Sequence, residues 1–170
     1  QHLDIYVMEY QIMRIKTGLT AAFLALSLTT AASAENHMDK ALEDAKDARE
    51  AHMELYSFNM SLLGGMAKGA LPYDADSAGK AADSLAALTM MDQTRYWIEG
   101  SDEMSIDDTR AKPEIWENMA DFQKKETDLI AAAKAMQGAA SQSLEALQGA
   151  IGPLGGACGA CHKVYRAPKT

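Results

Sequence analysis

The sequence predicts an all-α protein, an antiparallel up-down bundle of four helices. Three observations carry that expectation. The 170 residues are rich in Ala, Met, Leu, Glu and Lys and contain only four prolines, a composition that favours helix. Apolar residues recur near the 3.6 period in four separate stretches. No stretch shows a competing sheet pattern. The length is that of one domain, enough for a single core, and a net charge of −8 argues against nucleic acid as a partner.

Residues 1–12 carry Asp4 and Glu9 and do not read as part of the mature protein. Residues 13–34 have the layout of a secretory signal peptide. Arg14 and Lys16 form a positive start, Leu19 to Leu28 an apolar centre, and Ala32-Ser33-Ala34 a small-residue cleavage site. The apolar run is too short to span a membrane, so the protein is expected to be exported and not membrane-embedded. The mature chain would be residues 35–170.

The first helical pattern runs from about Asp39 to Met66, with Leu42, Ala45, Met53, Tyr56, Met60 and Leu63 on its stripe. His52, turned about 100° from Met53, is expected at the surface or at an interface. Gly64, Gly65 and Gly69 close the helix, and Pro72-Tyr73-Asp74 forms a turn. Asp74 or Asp76 caps a second helix bearing Ala78, Ala81, Leu85 and Leu88. Residues 92–112 are polar and aperiodic, a connection long enough to be either functional or mobile. Pro113 and Glu114 open the third helix, which carries Ile115, Met119, Phe122, Leu129, Ala133 and Met136 and stops at Gly138. Ser141 or Ser143 caps the fourth. Its stripe is Leu144, Leu147, Ile151, Leu154, Cys158, Cys161 and Tyr165, and Pro153 inside it should bend or break it.

The end of that stripe reads Cys158-Gly159-Ala160-Cys161-His162. C-x-x-C-H is the attachment signature of c-type haem. Two thiols form thioether bonds to the porphyrin, and the following histidine reaches the iron. On a helix Cys158, Cys161 and His162 share one face. A thioredoxin-like motif would need a βαβ setting. A structural zinc site would need four ligands, and these are the only two cysteines. The motif therefore predicts one covalent haem c, with His162 as axial ligand. Because the cysteines continue the core stripe, the haem should lie inside the bundle. No triad, paired-acid site or phosphate loop is present, so no enzymatic turnover is expected.

Three stretches together resemble the cytochrome c′ family, which includes the low-spin cytochromes c-556. These are Lys68-Gly69-Ala70-Leu71-Pro72-Tyr73-Asp74, Lys112-Pro113-Glu114-Ile115-Trp116, and Cys158 through Arg166. The resemblance implies a periplasmic four-helix monohaem protein. It makes His162 the proximal ligand and puts Arg166 beside the proximal pocket. Arg49 and Lys112 would approach the haem propionates, and Met53 would cover the distal iron face. The resemblance implies a homodimer through the first two helices. Glu50, Gly159, Pro153 and the long 92–112 connection depart from the family pattern. Met53 decides the function. The expected reading is a nonbonded neighbour that leaves a five-coordinate iron able to bind NO and CO, with single-electron transfer in addition. The alternative is a sixth ligand, which would make a His/Met electron carrier with a raised potential. The redox partner is not legible.

Overall fold

In the computed structural model of the chain, residues 37–169 are described. Residues 1–12 and the signal-peptide stretch 13–34 lie outside them. The chain parts into two compact units, 1–41 and 42–170. Of the first, residues 37–41 are helical. The second holds α1 (42–67), α2 (Ala75–Thr89), a 3-10 turn (Thr94–Tyr96), α3 (Glu114–Glu117), α4 (Met119–Ala139) and α5 (Leu144–Tyr165). The four long helices form the expected four-helix bundle. Among the described residues there is no strand, only an isolated antiparallel bridge between Ala111 and Arg166. Among the same residues no helix is long and apolar enough to cross a membrane.

The caps explain the boundaries. Asp74 accepts from Ser77 N at 2.8 Å and starts α2, and Ser143 accepts from Ala146 N and starts α5. Gly69, at φ +73, turns the chain after α1, a conformation an L side chain resists. Tyr73 then donates its hydroxyl to Ala140 O at 3.0 Å, tying that turn to the end of α4.

The third helix differs from expectation. Asn118 leaves the helical region (φ −134, ψ 55) and its side chain accepts from Asp121 N, so the pattern splits into α3 and α4. Gly138 does not stop α4, which runs on to Ala139. Pro153 does not interrupt α5. Pro153 is exposed, and so is Gly149, whose carbonyl loses its helical donor there at a position open to solvent.

One core cluster draws Tyr56, Leu63 and Met66 from α1, Ala78, Ala81, Ala82 and Leu85 from α2, Ala133 and Met136 from α4, and Leu147 and Leu154 from α5. Leu63, Met136, Leu147 and Leu154 are fully buried, each contributing about 1.5–3 kcal/mol of transfer free energy. Four of the six buried α2 residues are alanine, which allows close helix approach. A second cluster of Ile115, Phe122 and Tyr165 lies beside Cys161 and Trp97.

The buried stripe of α1 is Ala45, Arg49, His52, Tyr56, Asn59, Leu63 and Met66, spaced 4-3-4-3-4-3. The expectation that His52 lies at the surface is therefore wrong: it is 3% exposed. Its ring meets Tyr56 (4.6 Å) and Tyr96 (5.7 Å) edge-on. A hydrophobicity count passes over Arg49, His52 and Asn59, although they hold the register.

Candidate haem site

The last turns of α5 bring Cys158, Cys161 and His162 to one face, all half-buried. The two cysteines form no disulfide. Burial pushes the Cys158 thiol up, and burial aided by the Glu126 charge pushes Cys161 up to about 11. Neither is a ready thiolate, which argues against a nucleophilic or thiolate-metal role. Among the described residues no three His, Cys, Asp or Glu side chains gather into a metal-binding group, so the zinc alternative lacks its ligand set. Burial, then the charges of Arg166 and Arg110, hold the His162 pKa below its usual value. The neutral imidazole is the form that donates a lone pair to iron.

Arg166 ends α5. Its N–H donates to His162 O at 3.2 Å, and its backbone pairs with Ala111. The chain after Lys112 is pinned to the same end of α5. Lys112 N donates to Tyr165 O, and Lys112 Nζ donates to Val164 O at 3.2 Å and pairs with Glu114 at 2.5 Å. Arg110 donates to Ala167 O.

Arg49 is 5% exposed and organises the connection. Its Nη1 donates to Tyr96 O (2.7 Å) and Ser101 Oγ (2.6 Å). Its Nη2 donates to Ser101 O (2.8 Å) and Thr109 Oγ1 (3.3 Å). The guanidinium lies 5.2 Å from the Trp97 ring centre. Ser101 and Asp102 are buried beneath this clamp, and Asp102 accepts from Met104 N and Ser105 Oγ. Residues 92–112 are thus an ordered strap. Trp116 Nε1 donates to Trp97 O, and Trp97 and Phe122 pack edge to face at 4.6 Å.

Met53, one helical turn after Arg49, is 37% exposed and belongs to neither core cluster. The structure thus joins Cys158, Cys161, His162 and Arg166 in one region, and Lys112 at the end of the same helix. Arg49 instead spends four donors on the strap. Sequence reasoning missed Ser101, Thr109 and Arg110, which sit in a polar, aperiodic run without a legible pattern. It also missed Glu126, although a carboxylate four residues after Phe122 breaks the apolar stripe of α4.

These residues fit a haem. The thiol–thiol–imidazole set has the required face and protonation. The buried Arg49 cation meets only neutral acceptors, with no carboxylate at ion-pair distance among the described residues. Beside it Trp97 Nε1 is shielded from solvent without an acceptor. A buried cation and an unused donor together suit a carboxylate such as a propionate.

A family profile described as Cytochrome C′ matches residues 44–166. The chain belongs to the cytochrome c′ family. It is 38% identical over 154 residues to a protein named cytochrome c-554 from Cereibacter sphaeroides, covering 91% of this chain and 98% of the relative. Its fold matches the structure titled cytochrome c′ from Rhodobacter Spheriodes with a TM-score of 0.74 and 32% identity, over 75% of this chain and 98% of the other. A nitric oxide complex of a leucine-to-alanine mutant of cytochrome c prime from Alcaligenes xylosoxidans matches with a TM-score of 0.65 and 29% identity, over 75% and 97%. As a member of this family the protein is a monohaem cytochrome, and its cofactor is covalent haem c.

Proposed function

We propose that the protein is a periplasmic electron carrier with a six-coordinate haem. Cys158 and Cys161 would hold the porphyrin, and His162 and Met53 would supply an imidazole and a thioether to its iron. Arg49, Lys112 and Arg166 place positive charge around the propionates and the proximal side. The observation that carries the reading is the environment of Met53. Methionines that fill core gaps in this protein are buried, as Met66 (3%) and Met136 (0%) are. Met53 is not, although its neighbours Arg49, His52 and Tyr56 are. Its thioether is thus not taken up by the core clusters, and iron is a partner a thioether suits. Export rests on the stretch 13–34. No enzymatic turnover is proposed, since the sequence shows no triad, paired-acid site or phosphate loop.

A second reading is favoured by the likeness to a cytochrome c prime solved with nitric oxide. Here Met53 stands off the iron, and the open site binds NO or CO. An apolar distal side without a donor would disfavour stable O2, whose bound form carries negative charge. Adding CO to the ferrous protein separates the two readings. The electron-carrier reading expects an unshifted Soret band; a full shift at low CO would establish the gas binder.

The homodimer is proposed from the family resemblance, with support from α1. Phe58 is 76% exposed and Leu55 50%, large apolar side chains on the outer face of a helix the family uses for pairing.

A further inference from the structure

Glu126 is a carboxylate in an apolar register. It lies between Phe122 and Leu129 on α4, in the series 122-126-129-133 whose other members are core residues. It is half-buried, and among the described residues its carboxylate has no ion-pair partner. The adjacent Lys125 is committed to Asp121 at 3.3 Å. The groups its charge reaches on other helices are Tyr56 of α1 and Cys161 of α5. Two helices therefore converge on Glu126 where the porphyrin is to be attached.

We propose that Glu126 sets the reduction potential of the haem, by holding a carboxylate charge against the ring from α4. The inference rests on the covalent haem. When ferric iron takes one electron from an external donor, the site gains a negative charge. A fixed anion nearby opposes that gain and favours the ferric form. The other groups facing Glu126 offset it only in part, Lys125 being the cation that opposes it at Cys161. The Tyr56 phenol is neutral, Cys158 and Cys161 are uncharged as thiols or thioethers, and Asp121 and Lys125 pair with each other. The cations Arg110 and Arg166 lie toward His162. Burial raises the carboxyl's pKa, so its charge is lost at a higher pH than that of an exposed carboxylate.

The test is the midpoint potential of the haem-loaded protein at mildly alkaline pH, in wild type, E126Q, E126L and D128N. Asp128 pairs with Lys124 at 2.7 Å on the exposed side of α4, so D128N controls for loss of one surface charge. Glutamine keeps the shape, and leucine restores the apolar stripe. Both substitutions should raise the ferrous-to-ferric ratio at a fixed potential by about tenfold, equivalent to about 59 mV for one electron. D128N should match wild type, and the gap between E126Q and wild type should close as the pH falls. Equal potentials in wild type, E126Q and E126L, or a gap that ignores pH, would overturn the proposal. A haem stain on a denaturing gel reports attachment separately. Its absence from wild type would count against the haem itself, and its presence with equal potentials against Glu126 alone.

Discussion

Arg49 shows how one side chain links sequence to order in this protein. It is buried, charged, and bonded to three residues 47 to 60 positions further on. Removing it leaves Ser101, Thr109 and the Tyr96 carbonyl without their donor in a buried setting. We expect R49Q to cost about 3 kcal/mol and to expose residues 92–112 to limited proteolysis before the helices are cut. Unchanged cleavage kinetics would show that the strap is held by something else. This role was not legible in the sequence. The spacing of Arg49 to Met53 pointed toward the haem, while the partners lie in a run whose composition resembles any solvated loop. His52 escaped for a related reason. A polar residue beside a predicted stripe is expected at the surface or at an interface, yet the buried face of α1 passes through it.

At the scale of elements, α4 and α5 are the frame of the site, and Tyr165 is one of their ties. Its hydroxyl donates to Asp121 Oδ2 at 2.7 Å. That bond, followed by Lys125, holds the Asp121 carboxyl below its ordinary value of 3.8. A depressed carboxyl contributes stability that is present above its unfolded pKa and lost as pH falls through the folded one. Y165F should therefore melt below wild type at neutral pH, and the gap should close in acid below 3.8. A gap that persists in acid would show that the hydroxyl acts through its neutral hydrogen bonds and not through the Asp121 charge. The α5 pattern was readable because its apolar period carries straight into the cysteines. The break at Asn118 was not, because an asparagine inside an apolar pattern caps a helix only when tertiary contacts let the backbone turn.

At the scale of the molecule, the four-helix bundle was legible because periodicity, caps and turn glycines all pointed one way. The local chemistry around the haem was less so, since it depends on which helix faces meet. Two statements concern the whole assembly. The exposed Phe58 and Leu55 should make the protein associate through α1. Sedimentation at micromolar concentration should show a dimer for wild type and a monomer for F58E, whereas a monomeric wild type would remove the dimer. The central claim, that the haem held at Cys158, Cys161 and His162 is completed by Met53, is tested most directly by the ferric absorption spectrum of wild type and M53A. The account predicts the long-wavelength methionine–iron charge-transfer band in wild type and its loss, with a shift to high spin, in M53A. A wild-type spectrum already high-spin and without that band would contradict it.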